Sequence, residues 1–116
     1  MILPNKGYDN NSTCFEHNLN NSGIPNIFIH GVGLNHNMWN PQKEFFKKNQ
    51  IVFFDLLNHG NSKKNYKKLN FEDFILQIEE LLEYLKIKKC NLIGFSIGAL
   101  IAQHFAIKNS NKLNKL

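Results

Sequence analysis

Hydrophobic positions are sparse at the start of the chain and periodic afterwards. Residues 1–23 are polar, with Asn and Gly around short mixed runs such as Thr13-Cys14-Phe15 and Leu19. This predicts two weak strands with a turn near residues 8–11. After Pro25, the run Asn26-Ile27-Phe28-Ile29-His30 has a continuous apolar centre. Such a run reads as a strand buried on both faces, as in a parallel sheet. Residues 38–49 predict a short helix with Trp39, Phe45 and Phe46 turned inward, and Ile51–Phe54 is a second buried strand. Phe71, Phe74, Ile75, Ile78, Leu81, Leu82 and Leu85 recur at helical spacing behind an Asn70 N-cap, which predicts a helix over 71–86. A strand over 90–95 and a helix over 97–109 complete the series, with Ala99, Ala102 and Ala106 giving that helix a flat side. Strand and helix thus alternate three times. That order implies an α/β fold: a mostly parallel sheet with right-handed crossovers and helices on both faces.

Composition narrows the picture. At 116 residues the chain is one domain or a piece of one. Hydrophobic residues at 42% and aromatic residues at 12% are the usage of a globular chain. The net charge is +5, and every one of the 14 basic residues is Lys. Nucleic-acid readers rely on Arg for bidentate contacts, so this charge reads as surface solvation and no nucleic-acid partner is expected. The basic stretch Lys63–Lys68 reads as a solvated connector. Cys14 and Cys90 lie far apart, without metal-ligand spacing, so neither a metal site nor a disulfide framework is expected. No long apolar segment opens the chain, and the apolar window 94–107 is too short to span a bilayer. A cytoplasmic protein with no membrane partner is the expectation.

The candidate chemistry lies at strand ends. Gly94-Phe95-Ser96-Ile97-Gly98 falls between a predicted strand and a predicted helix. In that setting G-x-S-x-G forms a sharp turn with the serine at its tip in a strained conformation. Gly94 and Gly98 remove side chains that would strike the neighbouring strand and helix. The new helix begins beside the serine, with its N–H groups and dipole aimed at any developing negative charge. A glycine-rich turn without chemistry is the plain alternative. A second glycine-bearing turn, His30-Gly31-Val32-Gly33, follows the first buried strand. A dinucleotide fingerprint would need glycine at position 36, which is His36, so that reading fails.

Three stretches together resemble the α/β-hydrolase superfamily: His30–Gly33 followed by Trp39, the polar loop Asp55–Ser62, and Gly94–Gly98. The likeness covers about residues 12–116 and is nearest to the small-molecule esterase, enol-lactonase and C–C-bond hydrolase branch. It implies that Ser96 is the nucleophile and that the backbone N–H groups of Val32 and Ile97 form an oxyanion hole. It implies structural roles for His30, Gly31 and Gly33 in the first loop and for Asp55, His59 and Gly60 in the second. Asn58 stands where the family commonly has Gly, and Asn tolerates a left-handed backbone. A small-molecule acyl substrate and no cofactor are implied.

The family's acid and histidine follow the serine in that order. After Ser96 this chain has no Asp or Glu, and its single His is His104, within the predicted helix. Residues 1–116 are therefore expected to be the N-terminal part of a single hydrolase domain, inactive alone, with nothing paired beyond the Ser96-bearing strand. A non-catalytic binding module that keeps the elbow as a turn, or an acyltransferase on the same fold, are the alternatives. Oligomeric state is left open.

Overall fold

A computed structural model describes residues 3–19, 22–65 and 67–116. Residues 1 and 2, and residue 66 of the predicted connector, lie outside the described set. Six strands form one sheet: β1 (Asn5–Tyr8), β2 (Cys14–His17), β3 (Asn26–Ile29), β4 (Ile51–Phe54), β5 (Cys90–Gly94) and β6 (Leu113–Lys115). The helices are α1 (Asn40–Phe45), α2 (Phe71–Tyr84) and α3 (Ile97–Lys108), with a 3-10 turn at His36–Trp39 leading into α1. The spatial order is β1-β2-β4-β3-β5-β6. The hairpin β1–β2 is antiparallel and joins β4 antiparallel, whereas β4, β3, β5 and β6 run parallel. The expected α/β fold is therefore present, with an antiparallel hairpin added at one edge.

Strand alternation divides the core into two layers. Ile27, Ile29, Val52 and Phe54 point to one face and meet Phe74, Ile75, Ile78, Leu81 and Leu82 of α2 and Ile101, Ala102 and Phe105 of α3. Phe28, Ile51 and Phe53 point to the other face and meet Trp39. The register pairs Phe28 with Phe53, whose rings stack with centroids 4.6 Å apart. Each such side chain stabilises the fold by roughly 1.5–3 kcal/mol on burial. The predicted apolar stripe of α2 is its buried face. Its start is a capping box: Asn70 Oδ1 accepts from the Asp73 N–H, and Asp73 Oδ2 accepts from the Asn70 N–H.

Two expectations are corrected. The helix predicted over 38–49 is the 3-10 turn plus six residues of α1, and Phe45 is 81% exposed rather than turned inward. Adjacent helical residues point about 100° apart, so Phe45 and Phe46 cannot both face the sheet. The second correction concerns the outer edge of β5. Leu113–Lys115 follows a tight 3-10 turn at Ser110–Lys112 and reaches that edge at once, pairing Cys90 with Leu113 and Asn91 with Lys115. An Asn114 side-chain bond to Asn91 Oδ1, 2.8 Å, fixes the register. The sheet thus extends one strand past the Ser96-bearing one. Leu92, Ile93 and Gly94 still border a recess that Ala99, Gln103 and Leu116 complete.

Candidate active site

The parallel strands end on one side of the sheet, and the two loops and the elbow leave from those ends. Ser96 sits between β5 and α3 with φ 57° and ψ −120°. A non-glycine residue is rarely found there, and such strain costs on the order of 1–3 kcal/mol. The surrounding backbone holds it. The Phe95 N–H continues the ladder to Ile29 O at 3.1 Å, and the Gly98 and Ala99 N–H groups bond Phe95 O and Ser96 O, each at 2.9 Å. A Cβ on Gly94 would stand 2.4 Å from Gly98 carbonyl atoms, and one on Gly98 would stand 2.3 Å from Ile29 O and 2.7 Å from His30 O. Glycine is therefore required at both positions by main-chain contact. The same contact seats the elbow against the end of β3, where the first loop begins. Ser96 is exposed, and the N–H of Ile97 at the first position of α3 has no acceptor among the described residues.

The first loop turns sharply. Leu34 N–H bonds Gly31 O at 3.2 Å, and Gly33 adopts φ +75°, which places Val32 at the corner, 65% exposed. The Phe95 ring lies over Gly31, so a Cβ there would stand 3.0 Å from the ring. No acceptor for the Val32 N–H occurs among the described residues.

Two histidines tie this loop to the second one in opposite senses. His30 is fully buried; its Nδ1–H donates to Gly31 O at 2.8 Å, and its Nε2 accepts the Leu56 N–H at 3.0 Å. Burial pushes its imidazole below the ordinary range, only partly offset by the Gly31 carbonyl, which suits a neutral ring that accepts at Nε2. His59 Nδ1–H donates to Leu57 O at 2.9 Å, and its Nε2 accepts the Gly33 N–H at 3.0 Å. Both nitrogens of each ring are thereby engaged.

Asp55 is likewise consumed by structure. Its Oδ1 accepts from His36 Nδ1 at 2.7 Å and from the His36 N–H at 2.8 Å, and its Oδ2 accepts the Asn61 N–H at 2.9 Å. Burial pushes this carboxyl up, but the bonds from His36 and Asn61 outweigh it and hold it below its usual value. A Cβ on Gly60 would stand 2.2 Å from Asp55 Oδ2, which explains the glycine there. Asn58 takes the expected left-handed conformation at φ 65°.

The structure thus gathers the elbow at Gly94–Gly98 and the loop at His30–Gly33 into one group: Gly98 sits on the Ile29 and His30 carbonyls and Phe95 on Gly31, while His59 bonds Gly33 and Asp55 bonds His36 beside Gly60. His104 is not part of this group: it is exposed, with its ring stacked on Phe71 at 4.2 Å. Cys90 is fully buried, and burial pushes its thiol up to about 12, so it offers no competing nucleophile. Sequence reasoning missed Glu16, His36 and Lys43, all buried and joined to Asp55. Their sequence neighbours are mixed or polar, so no apolar run marks His36 or Lys43 as enclosed. Among the described residues, no group of three or more His, Cys, Asp or Glu is placed to hold a metal ion. Nor is any helix there long and apolar enough to cross a membrane.

Comparison with known proteins agrees with this geometry. The family model described as "alpha/beta hydrolase fold" matches residues 27–116. The chain is 30% identical over 95 residues to an (E)-2-((N-methylformamido)methylene)succinate hydrolase of Acinetobacter baylyi, covering 81% of this chain and 36% of that one. It is 28% identical over 91 residues to 3-oxoadipate enol-lactonase 2 of the same organism, covering 78% and 34% respectively. Among solved structures, a marine microorganism esterase superposes with a TM-score of 0.84 at 25% identity, covering 90% of this chain and 40% of that one. The chain spans about a third of the length of the two enzymes it matches in sequence. From β3 to its last residue, the chain belongs to the α/β hydrolase family.

Proposed function

We propose that this chain carries the nucleophile and oxyanion donors of a serine hydrolase acting on small-molecule ester, lactone or related acyl bonds. The observation that supports this most is the backbone of Ser96: an exposed hydroxyl in a strained conformation at the start of α3, seated on the end of β3. On this reading Ser96 Oγ attacks the acyl carbonyl and gives up its proton to a base. The carbonyl oxygen gains negative charge, and the Ile97 and Val32 N–H groups receive it. Fixed donors of this kind are worth roughly 3–4 kcal/mol each in the transition state. Collapse expels the alcohol or enol and leaves an acyl-serine, which water then hydrolyses to the free acid.

A serine hydroxyl needs a base. Asp55 and His59 have their polar atoms committed to the loops, and His104 is stacked on Phe71. We therefore assign the base and its carboxylate to polypeptide outside residues 1–116, which form one part of a single catalytic domain. For the 116 residues standing alone, the same engagement of Asp55 and His59 favours a second reading, a binding module without turnover.

The test is to express the chain with whatever its reading frame adds and to assay p-nitrophenyl ester hydrolysis and fluorophosphonate labelling. The expected outcome is activity, a label mapped to Ser96, and loss of both in Ser96→Ala. Hydrolysis that persists in Ser96→Ala overturns the assignment.

A further inference from the structure

Four ionisable side chains are enclosed beneath the first loop: Glu16 of β2 at 2% exposure, His36 at 3%, Lys43 of α1 at 1% and Asp55 at 0%. They form a chain. Lys43 Nζ donates to Glu16 Oε2 at 2.9 Å and lies 5.4 Å from the centre of the Phe53 ring. The same Glu16 oxygen is 3.3 Å from His36 Nε2, while Glu16 Oε1 accepts the Leu3 N–H at 2.9 Å. On its other side the His36 ring meets Asp55 Oδ1 at 2.7 Å. Enclosing so many ionisable groups is costly, and a well-packed apolar cluster is commonly as stable. What the chain supplies is orientation. His36 ends the stretch that holds Val32, and its ring lies between two carboxylates, bonded to Asp55 Oδ1 and 3.3 Å from Glu16 Oε2. With His30 and His59, it fixes residues 30–36 to the 55–59 segment at three points.

We propose that Glu16 and His36 are positioning residues for the loop that carries Val32, acting through Asp55. The inference rests on the reading of Ser96 and the Val32 N–H given above. Glu16 holds the imidazole edge-on to Asp55, and Lys43 keeps Glu16 ionised and in place. Asp55 then receives both the ring and the backbone N–H of His36, which leaves the loop one arrangement relative to Ser96. Without Glu16 the ring can turn, and the Val32 N–H drifts from where the oxyanion forms.

The test uses the extended protein and removes the ion pair as a unit. Glu16→Leu with Lys43→Met removes both charges of the pair together and leaves nothing at position 16 to hold the ring, so the melting temperature should stay near that of the parent. A positioning role predicts a fall of about tenfold to a hundredfold in kcat with KM changed less than about twofold. The amide resonances of Val32 and Gly33 should shift in the same variant, a readout independent of turnover. Unchanged kcat together with unmoved amides overturns the proposal. Should the double variant fail to fold, His36→Asn against His36→Leu decides. The amide of Asn can still donate to Asp55, so higher kcat in His36→Asn supports positioning, and equal losses in the two overturn it. Hydrolysis surviving in Ser96→Ala would instead defeat the reading of Ser96, leaving the two amides to judge the network.

Discussion

At φ 57° and ψ −120°, Ser96 holds a conformation that only glycine takes without strain. Its retention there costs stability that a glycine would recover. Replacing Ser96 by Gly should raise the unfolding free energy by about 1 kcal/mol, the released strain less the entropy glycine adds to the unfolded chain. Urea unfolding at matched slope would check it, and a destabilised variant would mean that the hydroxyl itself supports the fold. At this scale the glycines of the elbow, His30 and Asn58 were legible because each stands in a short local pattern with one geometric purpose. Glu16, His36 and Lys43 were not. A lysine is rarely enclosed unless paired, and its partner lies 27 residues away in sequence. Nothing local announces such a pairing.

Elements were legible in proportion to their periodicity. Helix α2 has fourteen residues, a capping box and a stripe of buried positions, and its ends fall within two residues of the predicted ones. Removing the cap by Asn70→Ala should cost about 1 kcal/mol, read as a lower urea midpoint. A variant with an unchanged midpoint would show that packing alone sets where α2 begins. By contrast α1 has six residues, too few for a hydrophobic repeat to state which side faces in. Strand β6 has three, with one residue half-buried and two exposed, and no alternation to read. Helix α3 is apolar on nearly every side, so the flat side expected at Ala99, Ala102 and Ala106 does not set its orientation, and of the three only Ala102 is buried. Only the contacts of Gly98, Ile101, Ala102 and Phe105 settle that.

For the whole molecule, acid should be destabilising in two stages. Burial holds the His17 and His30 imidazoles below their ordinary value, so the unfolded chain takes up those protons first. Stability should therefore fall as the pH drops below about 6.5. For Glu16 and Asp55, burial raises the carboxyls, but the Leu3 N–H and Lys43 on the one and His36 and Asn61 on the other reverse it, and both end below the usual range. Their contribution is present above about pH 4 and is lost as the pH falls further. Urea midpoints measured from neutral pH downward would show both stages, and a midpoint that rises between neutral pH and about pH 5 would contradict the first. The surface carries a further expectation. Leu100 is 49% exposed, Ile107 83%, and Leu116, which lines the recess at the outer edge of β5, 62%. Large exposed apolar surface and a free strand edge favour association. The 116 residues alone should bind a hydrophobic dye and sediment as aggregates. A monomer with a sharp melt and no dye binding would rule this out.

The seat of the elbow has a bearing on how such a protein can change. The placement of Gly98 beneath Ser96 is decided by the carbonyls of Ile29 and His30, that is, by peptide groups whatever residues they join. On the proposed reading of Ser96, diversity at Val32, Leu34 or Phe95 could then remodel which molecules are admitted while the serine hydroxyl keeps its address. Descendants with new preferences would inherit the same point of attack.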